Sequence, residues 1–482
     1  MAKNILTQKY FNGCIADSEK EGQRGAFFFS QNLDIFSEAT SITLLPKTAK
    51  DSGTTVVDLV KWIVSGTPHD TKTYFYGDGG RIYQRTSAGV WSVLGTVASS
   101  DGQGLEVHDD YLYYTQRSQI GRYGALSGTP TFTDNWQTGL NSTTNTKFAP
   151  IKAFKEGFAV GNGNDLGWWD GAVWTQNKII LPPGFEIRSL DVVDEFLVIC
   201  AWRGTSITDS EQGLVFFWDG TATTFNFFVE IPEGGVNAAL NSRNRLLSIV
   251  GSGGIIYQNY SPFQKVHRIP KLEFSKYLEV YPGAVTNWKG IAHIGVSGNT
   301  DSSNIIQGVY QYGAKSDKYN EGLVFAYVIS SGTTTGTTLS IGAVEGVGNQ
   351  LYIGWKDGST YGVDRVLQTA DPYASGTFEA LIFDDNRTSQ DKLAVTVKAS
   401  HKALVSGESI QLGYKTNRAS SYTTGTANST VGSTETRLSI PPADGRFKEF
   451  QTEVILATTV ATSPTVTSLV LEFDDLKEER LI

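Results

Sequence analysis

One phrase recurs seven times between residues 55 and 383: an apolar run, a turn bearing Gly or Asp, then an aromatic-rich run. Tyr74-Phe75-Tyr76 followed by Gly77-Asp78-Gly79-Gly80-Arg81-Ile82-Tyr83 is one copy. Leu246-Leu247-Ser248-Ile249 followed by Gly251-Ser252-Gly253-Gly254-Ile255-Ile256-Tyr257 is another. A unit this small cannot bury its own apolar face, so copies must stack on one another as a propeller or solenoid. With the second strand of each unit as marker, the copies begin near Tyr74, Tyr111, Phe158, Phe196, Leu246, Ile291 and Leu351. The spacings of 37, 47, 38, 50, 45 and 60 residues centre on the length of a four-stranded blade, roughly 40–50 residues.

Two units display the pattern most compactly. Ile151-Lys152-Ala153-Phe154, Gly157-Phe158-Ala159-Val160, Gly167-Trp168-Trp169 and Val173-Trp174 read as four successive strands, with Asp170-Gly171 turning the chain before the last. The next unit repeats this with Ile187 to Leu190, Phe196 to Ile199, Leu214 to Trp218 and Phe225 to Phe228, and Asp219-Gly220 as the turn. Asp-Gly between apolar runs is a hairpin signal, because the tight turn needs positive φ. Composition agrees: 51 Gly, 25 Phe, 21 Tyr and 10 Trp with only 18% charged residues suit short strands and tight turns rather than long amphipathic helices. The fold class expected is all-β, a seven-bladed β-propeller over 51–383.

The flanks differ from the repeat. Residues 1–50 read as an N-terminal arm, and Ala26 to Leu45, with Phe27-Phe28-Phe29, Leu33, Ile35, Ile42 and Leu44, could close the last blade or pair with a neighbouring subunit. After Phe383 the chain changes to one-sided alternation in Leu393 to Val397, Ser409 to Tyr414, Phe450 to Leu456 and Val466 to Phe473, which reads as a β-sandwich over 384–482. By composition, Ser420 to Thr436 reads as a flexible loop, and Asp474 to Arg480 as a charged tail.

Chemistry-bearing patterns are sparse. The formal charge of −9 argues against a grip on nucleic acid, which needs a basic patch. No run of eighteen apolar residues is present, and Met1 to Leu6 lacks an apolar signal core. Of the two cysteines, Cys14 and Cys200, the latter ends an apolar strand and reads as a buried free thiol, consistent with synthesis in a reducing cytoplasm. The histidines at 69, 108, 267, 293 and 401 have no metal-ligand spacing, and His293 reads as core. Gly161 to Gly167 resembles a phosphate loop but has no helix behind it, so it reads as a hairpin.

A propeller glycosidase would need two carboxylates flanking a bond. Asp109-Asp110, Asp191, Asp194-Glu195, Glu230 and Asp364 are the candidate acids, and the first and third of these sets read as turn residues. Trp355 to Tyr361 has the wrong register for an Asp box. No catalytic, cofactor-binding or metal site is assigned, and no cofactor is expected.

The N-terminal stretches Tyr10-Phe11-Asn12-Gly13-Cys14-Ile15, Ser18-Glu19-Lys20-Glu21-Gly22 and Gly25 to Ile35 resemble the opening of structural proteins from tailed-bacteriophage virions. His401-Lys402-Ala403-Leu404, Ser409 to Lys415, Phe450 to Leu456 and Ser463-Pro464 with Val466 to Phe473 are similar to sandwich modules appended to such proteins. The resemblance implies a non-enzymatic tail component, a nozzle or adaptor subunit in an oligomeric ring. Its expected partners are copies of itself and neighbouring tail proteins or fibres, with DNA passing the assembly without specific binding. It also implies a place in the virion tail after synthesis in the host cytoplasm. The alternatives are a host-glycan-binding propeller, with Trp168, Trp169 or Trp202 at a blade mouth, and a carbohydrate-active enzyme.

Overall fold

The computed structural model describes the chain apart from residues 1–3, 12, 14, 17–19, 21–24, 98–101, 117, 141–147, 205–210, 243–244, 251–253, 259–263, 270–277, 299–305, 315–320, 368–370 and 477–482. Cys14 and the Gly251-Ser252-Gly253 turn therefore lie outside the described residues. Every regular element among those described is a β-strand. The chain forms two compact units, one of 49–309 with 328–366 and one of 1–48, 310–327 and 367–482.

The first unit is a seven-bladed propeller. Blade one comprises Val60–Ser65, Thr73–Gly77, Arg81–Arg85 and Trp91–Thr96, each antiparallel to the next. Blades two to five follow the same order: Gly102–His108 through Thr131–Thr138, Ile151–Phe154 through Trp174–Ile180, Phe185–Val193 through Phe227–Ile231, and Val236–Ser242 through Gln264–Arg268. Blade six opens with Val285–Trp288 and Ile291–Val296. Blade seven consists of Leu339–Val347, Gln350–Asp357, Thr360–Leu367 and, as its outer strand, Thr48–Lys50. The first strand of each blade packs beside the first strand of the next, and that of blade seven returns to that of blade one, so the ring closes. Each of the seven sequence markers falls within two residues of the start of a second strand. These strands are legible because they are sandwiched between neighbouring blades. Tyr74, Phe75, Tyr76, Leu197, Val198 and Ile199 are all fully buried, which forces continuous rather than alternating hydrophobicity.

The Gly-rich turns serve two purposes. Gly80, Gly171 and Gly220 have φ of 79°, 94° and 82°, a conformation open to glycine without strain. Gly79 is needed for space instead: a Cβ there would lie 2.5 Å from an Asp58 carboxylate oxygen, which accepts from Arg81 at 2.6 Å. Asp219 fixes its own turn by accepting from the backbone N–H groups of Ala222 at 2.9 Å and Thr221 at 2.8 Å, bonds that hold its carboxyl well below the usual carboxylate range.

Closure differs from the expectation. The strand that completes blade seven is Thr48–Lys50, not the segment 26–45. Just beyond it, Asp51 accepts from Arg85 Nε at 2.5 Å and Trp91 Nε1 at 2.8 Å and forms an ion pair with Arg365, Nε at 3.0 Å, joining blades one and seven. The Val363 N–H donates to the Ser52 hydroxyl oxygen at 3.0 Å.

The second unit is a β-sandwich, and it takes in more of the chain than 384–482. One sheet runs Asn4–Gln8, Val466–Asp475, Lys392–His401, Glu435–Ser439, with Arg446–Phe447 beside Lys392–His401. The other includes Gly322–Tyr327, Phe29–Gln31, Ser375–Glu379, Phe450–Thr458, Glu408–Thr416 and Thr423–Thr424. The apolar side chains of the N-terminal segment are the physical reason for this larger unit. Phe27, Leu33, Ile35 and Ile42 are fully buried with Leu412, Val454 and Leu471 in one core, and each such side chain contributes about 1.5–3 kcal/mol. An arm that only paired edgewise would leave them wet. The propeller likewise ends at Val366 rather than 383 because blade seven borrows its outer strand, freeing Ser375–Glu379 for the sandwich.

Two smaller expectations also change. The Ser420 to Thr436 stretch is not a featureless loop. Its Thr423–Thr424 strand pairs with Gly413 and Tyr414, and the Asn428 amide donates to Ser433 Oγ at 3.0 Å and Thr436 Oγ1 at 3.1 Å. Asp474 and Asp475 belong to the last strand rather than a tail, and Asp475 accepts from Arg387 at 3.0 Å.

Candidate functional site

The axis of the propeller holds a polar cavity of ≈ 330 Å³ lined by the first strand of every blade. Hairpin register sets its composition. Opposite the third residue of each second strand stand Ile63, Glu106, Lys152, Asp191, Leu240, Thr286 and Glu345, one from each blade in order. All seven line the cavity, so they form one layer with four ionisable groups. In five blades a β-bulge precedes this layer, between Val60 and Trp62, Gly102 and Gly104, Ile187 and Ser189, Val236 and Ala238, and Ile341 and Ala343. Such bulges twist a strand and re-aim its side chains.

Lys152 is the one cation of the layer and pairs first with Asp191. Lys152 Nζ lies 3.3 Å from Asp191 Oδ1, and Asp191 Oδ2 accepts from the Asn241 N–H at 2.6 Å. The Lys152 ammonium is held in its charged form by Asp191 first, against burial, with Glu106 and Glu345 assisting. Burial pushes the Glu345 carboxyl up to about 7, opposed by Lys152 and by a hydrogen bond from Thr286, with Glu106 adding repulsion. Glu106 is raised by burial as well, again against Lys152. Three carboxyls thus share one cation, and the least favoured of them sits near neutrality.

A carboxyl that titrates higher in the folded than in the unfolded chain costs stability only when ionised. The cost is absent below its unfolded value of 4.5, grows as pH rises and is complete above about 7. The Glu345→Gln protein is therefore expected to match the parent in urea unfolding at about pH 4 and to exceed it at about pH 8. A parent that is equally or more stable than the variant at the higher pH would overturn that assignment.

Beside the layer, Arg188 is 2% exposed and lies with its guanidinium 4.4 Å from the ring centroids of both Phe148 and Trp202. It donates to the carbonyls of Asn237 at 3.0 Å and Val280 at 3.3 Å. Burial lowers it to about 10, against Glu279. Arg188 is a buried strut between blades, not a group free to meet a ligand.

Of the candidate acids, only Asp191 lies in the cavity. Asp109, Asp110 and Asp194 are turn residues with φ of 44°, 66° and 51°. Glu230 is on the outer strand of blade four. Asp364 is fully buried, accepting from Trp355 Nε1 at 2.7 Å and from the Ser330 N–H and hydroxyl at 2.6 Å each. Asp357 accepts from Thr333 and Thr338 hydroxyls in a turn, as befits a wrong-register Asp box. Sequence reasoning missed Glu106 and Glu345, whose signal was their shared register with Lys152 and Asp191.

The glycan-platform tryptophans are placed differently from each other. Trp168 and Trp202 are buried, and Trp169 is half-buried against Trp136 with ring centroids 5.0 Å apart. His293 is buried and its ring is lowered to about 4 by desolvation. Cys200 is a buried free thiol, pushed up by the same cause. Among the described residues no group of three His, Cys, Asp or Glu side chains is arranged to hold a metal ion.

No family model matches this sequence, and no curated protein matches it. Solved structures of similar fold include the extracellular domain of a hybrid two-component system protein from B. thetaiotaomicron, at 11% identity and a TM-score of 0.46. That match covers 75% of this chain and 44% of the other, so this chain spans less than half the length of that domain. The WD40 domain of Neurospora crassa Pan2 is similar at 9% identity and a TM-score of 0.44, covering 69% of this chain and 97% of that domain. Both likenesses are distant, and the seven-bladed propeller stands on this chain's own strand pairing.

Proposed function

We propose that this chain is a non-enzymatic structural subunit of a tailed-bacteriophage tail, a propeller platform assembled as a ring of copies in a nozzle or adaptor. One observation carries the reading. The two stretches that resemble virion proteins lie more than 350 residues apart in sequence yet build one sandwich core, with Phe11, Ile15, Phe27 and Leu33 packed among Ile410, Val454 and Phe473. The resemblance thus follows a folded module instead of scattered words. The ion pair of Lys152 with Asp191 in the channel layer supports a scaffold role, since it already engages one of the acids a substrate would need. Its 330 Å³ is also far too small for duplex DNA, so any DNA would pass between copies and not along a propeller axis.

The test is to express the gene within its phage and image purified particles with an antibody to the chain. Labelled tails carrying a ring of copies are expected. A free, monodisperse monomer absent from particles would sink the reading.

A second reading is favoured by Glu345, its carboxyl pushed up to about 7 by burial, lining one cavity with a second carboxyl, Asp191, since a glycosidase needs two carboxyl groups in one site. Turnover of aryl glycosides by the parent protein, abolished in both Glu345→Gln and Asp191→Asn, would replace the structural proposal. None is expected.

A further inference from the structure

Residues 278–283, between blades five and six, cross the axis of the propeller. The Asn237 amide of blade five donates to the Leu278 carbonyl at 2.9 Å, and Arg188 of blade four donates to the Val280 carbonyl at 3.3 Å. Between these two, the Ser297 N–H at the end of blade six donates to the Glu279 carbonyl at 2.9 Å. Lys61 Nζ of blade one stands 5.6 Å from the Tyr281 ring centroid, and the Val344 N–H of blade seven donates to the Gly283 carbonyl at 2.9 Å. A segment that touches five blades from opposite sides of the ring spans its centre. Pro282 and Gly283 line the axial cavity, so the segment is its floor. Only glycine fits at 283, because a Cβ there would collide with the Lys61 carbonyl oxygen. At the other end Ser65, Asn241 and Asn287, one or two residues past the charged layer, form the mouth, and Asn287 is exposed. The axis is a cup with one opening.

We infer that this cup is a binding site for one small neutral polyol, a molecule of the size and class of a monosaccharide, entered past Asn241 and Asn287. The inference goes beyond the tail-subunit reading and does not depend on it. Charge narrows the ligand first. Lys152 already fills the place of a cation, paired with Asp191 at 3.3 Å and supported by Glu106 and Glu345, so a second cation would meet it in the same layer. An anion would meet three carboxyls. Hydrogen bonding narrows the ligand further. Lys152 has three donors and gives one to Asp191, while the carboxyls of Glu106 and Glu345 line the same cavity as acceptors. A hydroxyl both donates and accepts, so neighbouring hydroxyls on one ring serve an ammonium and a carboxyl side by side. Ile63 and Leu240 add apolar wall for the carbon face of such a ring. Size sets the limit. At ≈ 330 Å³ the cup lies at the small end of ligand pockets, roughly 300–1,000 Å³, and its floor admits a single ring and not a run of polymer.

The test titrates the full chain with glucose, galactose, mannose, myo-inositol and glycerol, followed by ligand-observed NMR. Glucosamine and glucuronate, which add one charge of either sign to the same ring, are the controls. At least one neutral polyol is expected to bind one to one with a Kd of about 1 mM or below, and neither charged ring to bind as tightly. Glu106→Gln keeps the shape of the side chain and should weaken that binding about tenfold, the effect of one hydrogen bond to a charged group. Leu240→Trp fills the cup and should abolish binding. Thermal unfolding checks that both variants are folded, and Glu106→Gln decides the matter alone where the larger side chain is not accommodated. Failure of all five polyols to bind overturns the inference. Glucosamine bound more tightly than any neutral polyol would make the cup a cation site and overturns it too. Polyol binding that Glu106→Gln leaves unchanged puts the ligand elsewhere on the chain, with the same result.

Discussion

Replacing Asp51 with Ala is expected to lower the unfolding free energy by about 3–5 kcal/mol, the cost of stranding a buried cation. Arg85 is 5% exposed and has its Nε 2.5 Å from Asp51, while Trp91 loses the same acceptor and Arg365 its counter-charge. The effect is large because these donors come from blades one and seven, so the carboxylate ties the seam of the ring. Guanidinium unfolding of the parent and variant would measure it. The exposed Lys47–Asp371 pair is the internal control: its side chains are 47% and 61% exposed, and breaking it should cost no more than about 1 kcal/mol. Equal effects at the two sites would show that the seam is not held by Asp51.

Trp218→Ala should cost a comparable amount, about 3–5 kcal/mol, through loss of a large buried side chain and the cavity left behind. Trp218 is fully buried, with Trp168 and Phe154 ring centroids at 5.3 Å and 6.1 Å, and its indole donates to the Ala222 carbonyl at 2.9 Å. Trp169 stands in the same Trp-Asp-Gly phrase of the preceding blade but is half-buried. Trp169→Ala is expected to cost less than half as much. The pair can be compared in one set of thermal unfolding curves. A Trp169 effect equal to that of Trp218 would mean that the phrase, rather than its packing, sets the energy.

These two sites also mark how far the chain could be read. Trp218 and the other turn-flanking aromatics lie in runs of continuous hydrophobicity, which the stacked blades impose locally, so blade number and strand order follow from spacing. Thr48-Ala49-Lys50 is three residues with no apolar pattern, and it is a strand only because the Thr360–Leu367 edge awaits it. The strongly apolar 26–45 stretch drew the assignment because hydrophobicity says that a segment is buried, not against what. The channel layer was half legible. Asp191 stands out as an acid in an apolar strand, but Glu106 and Glu345 gain meaning only when seven hairpins are set in register around an axis. The Asp51 clamp was invisible for the same reason, since its partners lie 34, 40 and 314 positions away in the chain.

The position of the closing strand has a consequence for the order of assembly. Thr48–Lys50 leaves the ribosome before any blade, whereas its partner Thr360–Leu367 follows roughly 300 residues later. At about 5–20 residues per second, the interval is on the order of 15–60 s. Throughout that time the nascent chain holds an unclosed stack of blades with bare edges at both extremities. The last blade made is thus the one that rescues the first, and a ribosome stalled within blade seven would release a chain with every other blade complete and no closed ring.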